Sequence, residues 1–325
     1  MKSKIILTTL ALSITSIVSA QDFYVSVDGT SDQCNRSAPC SSIQTAINLA
    51  QAEDRVNLQP GTYRENINIP ANKVGLTLKG SGKLNTIIAS AGGIDGIEAP
   101  AGIPADIVID ILAKKVTVKD LTVLHGEGDV SKHDIGIFVR PPADNAILMQ
   151  LNIERLRKSN AQTPPPPAIG VLVMRATRAI IKNNNFLGGY DDNIHVPSSK
   201  TLIYQNKIMN ANLHGITIVQ EPVAEDGTTP LTTNNSIIDN LIMNSGDAGI
   251  EVQGDETLIS NNKLYNNVEW GIVVCGENST TCDFPNNIVA TASGTSVFGN
   301  SISNSKQAGI DDGVDTFIRG NEVLR

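Results

Sequence analysis

Aromatic side chains are scarce in this chain, with one Trp, five Tyr and six Phe among 325 residues, so any interior must be built from aliphatic residues. Methionine and histidine are also few, five and four, and they form no Met-His cluster that would favour copper. Basic residues are outnumbered, giving a formal charge of −8 without a basic patch, which disfavours nucleic acid and anionic membrane as partners. No apolar run is long enough to form a membrane-spanning helix. The apolar stretch Ile5 to Leu12 follows Lys2 and Lys4 and precedes Val18-Ser19-Ala20, the pattern of an export leader. A signal peptide is therefore expected over residues 1–20, with a secreted or periplasmic mature chain. Loss of Lys2 and Lys4 moves the formal charge from −8 to −10.

Cysteine is limited to two close pairs, Cys34 with Cys40 and Cys275 with Cys282. In an exported chain, two local disulfides are expected; the spacings lack the CxxC form of a metal site and have no histidine beside them.

What the sequence has in abundance is repetition. A Gly-Ile-x-Val strand recurs as Gly136-Ile137-Phe138-Val139, Gly170-Val171-Leu172-Val173, Asn193-Ile194-His195-Val196 and Gly215-Ile216-Thr217-Ile218. It returns as Gly249-Ile250-Glu251-Val252, Gly271-Ile272-Val273-Val274 and, decayed, Gly309-Ile310-Asp311-Asp312. Each is followed by a second apolar strand, such as Ile180-Ile181 or Leu202-Ile203, and then by an Asn: Asn184, Asn206, Asn240, Asn262, Asn300 and Asn321. Intervals of 22 or 23 residues show the bare unit, and longer ones of 34 and 38 carry insertions. A period in the low twenties built of short strands predicts a solenoid. The stacked asparagines are expected to bond along the axis and to supply left-handed turn geometry. Three insertions, 159–167 with four consecutive prolines, 221–233 and 277–293, are loops of the kind that either wall a groove or stand as solvent-exposed decoration.

Residues 21–70 read as an N-terminal cap, including a short helix with the stripe Ile43, Ala46, Ile47 and Ala50. Ser42-Ile43-Gln44-Thr45-Ala46-Ile47 and Pro60-Gly61-Thr62-Tyr63-Arg64-Glu65-Asn66-Ile67 resemble the opening of right-handed parallel β-helix proteins of the pectin-lyase-like superfamily. The resemblance implies an all-β, single-stranded right-handed parallel β-helix of about 22-residue rungs with a short capping helix. One domain over 21–325 is expected, with the rungs over 105–325. That superfamily spans lyases, hydrolases, epimerases, esterases and proteins without catalysis.

Strand alternation places Ile and Val of the unit inward and x outward. The outward x column is then Phe138, Leu172, His195, Thr217, Glu251, Val273 and Asp311. The position before the Gly gives Ile135, Ile169, Asp192, His214, Ala248 and Trp270. Ionisable groups concentrate on neighbouring rungs of this face: Asp191, Asp192, His195 and His214, with Glu251 beyond, a pattern suited to acid–base chemistry. His125 and His133 fall before the first clear rung and are read as surface residues.

Gly189-Tyr190-Asp191-Asp192, followed on the next rung by His214-Gly215, resembles two neighbouring motifs of the polygalacturonase family. The resemblance implies that Asp191 and Asp192 are catalytic carboxylates and His214 their accompanying histidine. The family's further Asp is replaced here by the Ala168-Ile169 stretch, and its basic substrate grip by Glu251-Val252-Gln253. Asp192 and Glu251 offer a substitute pair for an inverting hydrolase. Tyr190 and His195 also keep the Tyr-to-His spacing of mannuronan C5-epimerases and related uronan lyases. Tyr190, Glu251, Arg140 and Thr217 are expected to contact substrate. Asp191, Asp192, Asp247 and Glu251 could together hold Ca2+, the one cofactor suggested. The expected function is action on a uronic-acid-containing polysaccharide by a monomer, with hydrolysis weighed slightly above elimination or epimerisation. The alternative is a non-catalytic carbohydrate-binding, adhesive or periplasmic accessory β-helix.

Overall fold

The computed structural model describes residues 19–91, 98–99, 103–126, 133–156, 168–220, 232–275, 292–305, 310–311 and 315–324. The expected leader falls almost wholly outside these residues, as do nearly all of the three insertions. The chain is a single-stranded parallel β-helix. Its strands form three sheets of eleven, ten and ten strands, so each turn of the coil contributes about one strand to each sheet. Pairing is parallel between successive rungs, apart from the antiparallel pair Glu98–Ala99 with Ile103–Ile111. Among the described residues no helix is long and apolar enough to cross a membrane.

One rung shows how the sequence makes the coil. Leu202–Tyr204 lies in the first sheet, Lys207–Met209 in the second and His214–Ile218 in the third. The second of these was not expected: the repeat reads as two strands, but a strand of three or four residues follows each Asn. Its single inward side chain (Phe186, Ile208, Ile242, Leu264 or Ile302) is fully buried, too short a signal for period-two alternation to reveal. Ile181, Ile203, Ile237 and Ile259 stack behind the first sheet, and Ile194, Ile216, Ile250 and Ile272 behind the third, all with no exposed surface. The interior is the aliphatic stack that the aromatic shortage required.

The asparagine ladder is present and hydrogen-bonds along the axis. Asn206 Oδ1 accepts from the backbone N–H of Asn184 at 3.0 Å and from its Nδ2 at 3.1 Å; Asn240 receives the same pair from Asn206 at 2.9 and 3.0 Å. The left-handed backbone, however, belongs to the residue before each ladder position: Asn183, Gln205, Asp239, Asn261, Gly299 and Gly320 have φ between 53° and 65°. The ladder side chains hold the turn, while their predecessors bend it.

At the N-terminal end, Ser42 caps the helix Ile43–Leu49, its Oγ accepting from the Thr45 N–H at 3.2 Å. Glu65, from the Pro-Gly-Thr-Tyr turn, accepts from the N–H groups of Ile43 and Gln44 at 2.9 and 3.1 Å and from Ser42 Oγ at 2.9 Å. The two motifs at the start of the chain therefore meet: the turn supplies the acceptor that the orphan helix amides need. A disulfide joins Cys34 to Cys40. Cys275 is disulfide-bonded, while Cys282 lies outside the described residues.

Candidate functional site

The outward face of the third sheet follows the columns read from the repeat. Phe138, Leu172, His195, Thr217, Glu251, Val273 and Asp311 are successive register partners, as are Ile135, Ile169, Asp192 and His214. Two glycines aim the chain into this face. Gly188 and Gly189 have φ of 105° and 89°, and a Cβ on Gly189 would lie 2.3 Å from the Arg155 carbonyl oxygen. The register also slips by one residue between Ile153 and Glu154 opposite the Asn185–Gly188 strand, a bulge of the kind that re-aims a side chain.

Asp192 sits between two imidazoles. His195 Nδ1 is 2.7 Å from its Oδ2 and His214 Nδ1 is 2.9 Å from its Oδ1. His214 Nε2 reaches on to Glu251 Oε2 at 3.1 Å and stands 3.7 Å from Asp247 Oδ2. Gln253 Nε2 donates to Glu251 Oε1 at 2.7 Å. The five side chains form a continuous chain from Gln253 through Glu251, His214 and Asp192 to His195. Asp247 and Gln253 were not singled out from sequence as parts of the acid–base cluster. Gln253 projects from the same side as Glu251 two residues on, which alternation could have revealed.

The electrostatics separate the two histidines. Burial alone would lower the His214 pKa, but hydrogen bonds to Asp192, Asp247 and Glu251 outweigh it and push the value up to about 12. His214 is thus a fixed imidazolium. Burial would raise Asp192, yet the bonds from His195 and His214 hold its carboxyl well below the usual range. Asp192 therefore carries no proton to give. His195 Nδ1 donates to Asp192, so Nε2 is the nitrogen turned away from this bond, on a ring about a quarter exposed. Beside it, the Thr217 hydroxyl is buried without a hydrogen-bond partner among the described residues.

Other expected members stand elsewhere or serve the fold. Asp191 Oδ2 accepts from the Ala168 N–H at 2.8 Å and Oδ1 from Asn212 Nδ2 at 3.0 Å, so it ties neighbouring rungs together. Tyr190 has no exposed surface; its hydroxyl donates to the Glu154 carbonyl at 3.2 Å, and burial pushes its pKa far up. It cannot touch a substrate. Arg140 lies two strands before Asp192 and turns away from it toward the N-terminal rungs of the same face, where Nε and Nη2 each bind Asp110, the register partner of Phe138, at 2.9 Å. The Asp192–Glu251 pair does not suit an inverting hydrolase, because the His214 ring occupies the space between the carboxylates where the attacking water would stand. The four carboxylates weighed for calcium are divided among these partners and form no cage.

His125 corrects the sequence reading: it is fully buried, not on the surface. His133 is partly buried, and burial lowers its pKa against the opposing pull of Asp134 and Asp191.

The acid–base chain lies between apolar strips. Ile135, Phe138 and Leu172 with Ile169 and Met174 border it on one side, and Ala248, Val273 and Cys275 with Trp270 on the other.

Residues 113–289, more than half of the chain, match the family model described as a right handed beta helix region. The chain belongs to the right-handed β-helix family. Among solved structures, this β-helix is similar to a pectin methylesterase from carrot, with a TM-score of 0.51 and 13% identity over 95% of this chain and 84% of that one. It is similar to an alginate lyase from Paenibacillus sp. str. FPU-7, with a TM-score of 0.51 and 13% identity over 94% of this chain and 98% of that one. At such identity the likeness carries the fold alone. No curated protein sequence matches the chain.

Proposed function

We propose that this β-helix is a polysaccharide-modifying enzyme acting by proton transfer at His195, and that its reaction is β-elimination on a uronic-acid-containing glycan whose carboxyl group is esterified. The observation that carries the reading is the Asp192–His195 pair: a partly exposed imidazole oriented through Nδ1 by a carboxylate, whose Nε2 would be the base in the neutral ring. Hydrolysis by paired carboxylates is disfavoured, since both Asp192 and Glu251 are occupied as acceptors of His214.

The charge of the cluster points to the esterified substrate. Asp192, Asp247 and Glu251 face the single imidazolium of His214, leaving an excess of negative charge that would repel a free uronate. An ester carries no charge and acidifies the adjacent C–H without needing a cation. His195 Nε2 would take the proton from the carbon beside the ester. That electron pair becomes the new C=C bond as the C–O bond to the next sugar breaks, and the imidazolium returns the proton to the departing oxygen. Trp270, Ile169 and Met174, the partly exposed members of the two apolar strips, suit the faces of sugar rings. The named activities of the two similar structures, on pectin and on alginate, are compatible with a glycan substrate.

The test is a panel of methyl-esterified and de-esterified uronans, followed by ultraviolet absorbance of the unsaturated product and by reducing ends. Absorbance rising with reducing ends on the esterified polymers is expected. Reducing ends without absorbance would establish hydrolysis, and binding without product would establish a carbohydrate-binding module; either outcome contradicts the proposal.

A further inference from the structure

A second concentration of ionisable side chains lies inside the corner where the chain passes from the second sheet to the third. Asp106 and Asp134 are register partners on one wall, and His125 and Arg155 are register partners on the other. Asp106, His125 and Asp134 expose 1%, 0% and 1% of their surface.

Each of the three is held from behind. Asp106 Oδ1 accepts from Asn66 Nδ2 at 2.9 Å, and its Oδ2 from Ser90 Oγ at 2.8 Å. Asp134 Oδ2 accepts from Arg155 Nε at 2.7 Å. His125 Nδ1 is 3.1 Å from the Gly126 carbonyl oxygen, which can only accept, so Nδ1 carries a hydrogen. Nε2 then faces three oxygens: the Asp106 carbonyl at 3.2 Å, Asp106 Oδ2 at 3.5 Å and Asp134 Oδ1 at 3.7 Å. Asp134 Oδ1 is buried and has no hydrogen-bond partner among the described residues. Two carboxylates face one guanidinium in a dry corner, and the convergence of three oxygens on Nε2 calls for positive charge there, either a second ring proton or a metal cation. Buried charge of this kind requires a partner, and a cation belongs at the point where these atoms converge.

We propose that Asp106, His125 and Asp134 bind a zinc ion through Asp106 Oδ2, His125 Nε2 and Asp134 Oδ1. The ligand atoms of the three residues lie within 4.8 Å of one another. Tetrahedral zinc with bonds of about 2.0–2.2 Å sets neighbouring ligand atoms roughly 3.3–3.6 Å apart, close to the separations of Nε2 from the two carboxylate oxygens. One imidazole with two carboxylates suits zinc better than copper(I), which prefers sulfur, or calcium, which prefers oxygen alone. The bonds from Asn66, Ser90, Arg155 and Gly126 are the supporting contacts that orient metal ligands. The ion would tie three strands of two sheets together, a structural role separate from the chemistry at His195.

The experiment uses the full chain, stripped with EDTA, given zinc chloride and freed of excess metal. Elemental analysis should find about one zinc per chain, and the thermal midpoint should rise on loading. Zinc-edge X-ray absorption on the unaltered protein should show one imidazole among oxygen donors. His125→Gln and Asp106→Asn should each reduce retained zinc at least tenfold, whereas His195→Ala should leave it; should one of the corner variants fail to fold, the other and the absorption spectrum decide. Absence of zinc from the unaltered protein would show that a proton alone fills the corner. Zinc bound by two imidazoles, and lost with His195→Ala, would place it on the outer face. Either result overturns the proposal.

Discussion

Asp192 has two carboxylate oxygens, and a different histidine takes each. That division decides the roles of the whole cluster, and it has a pH signature. His214 has its pKa raised, so its contribution to stability is full below the free-imidazole value of 6.5 and is lost as pH climbs toward about 12. Asp192 has its pKa lowered, so its contribution is full above 3.8 and is lost as pH falls toward the depressed value. The coupled pair stabilises most between 3.8 and 6.5. The thermal midpoint of the unaltered chain minus that of His214→Gln should be largest in this window and shrink steadily as the solution is made alkaline. A difference independent of pH would contradict the imidazolium assignment. The columns that bring Asp192, His195, His214 and Glu251 together were legible in the repeat. The partners absorbing Asp191, Tyr190 and Arg140 were not, because each comes from a different strand or turn whose side-chain reach no repeat count gives.

At the scale of the element, the turns carry more information than the strands. Asn240→Ala removes an acceptor for the amide and side chain of Asn206 and donors to Ile203 and Asn262, all buried. With one to several buried groups left unsatisfied, a loss of about 3 kcal/mol is expected in denaturant unfolding; a change within error would mean that water replaces the ladder. Glu65→Ala strips the acceptor from the start of the Ile43–Leu49 helix and should cost about 1–3 kcal/mol, since it removes charge-assisted bonds. Gly189→Ala forces a Cβ against the Arg155 carbonyl in left-handed backbone. It should lower both the thermal midpoint and any activity by displacing the turn that delivers Asp192. The asparagines announced the ladder in the sequence because they recur at the rung period. The short middle strand stayed hidden because one inward residue makes no pattern, and the His125 corner because Asp106, His125 and Asp134 precede the regular repeat.

For the whole molecule, the solenoid brings distant segments into one column at the spacing of a parallel sheet, about 4.8 Å per rung. Asp192, His214 and Glu251 span three rungs, yet their side chains connect without a gap. A polar chain bordered by apolar strips results, on a fold that hosts many chemistries and selects none. In the proposed reaction this stacking makes His195 a working base. The most direct measurement is the initial elimination rate on a methyl-esterified uronan for the unaltered chain, His195→Ala and Asp192→Asn, each checked for an intact β-sheet spectrum. Loss of about 10²–10⁴-fold is predicted for His195→Ala, the usual worth of a general base, with a substantial loss for Asp192→Asn, which leaves the imidazole without its orienting carboxylate. A folded His195→Ala protein with undiminished elimination would contradict the account.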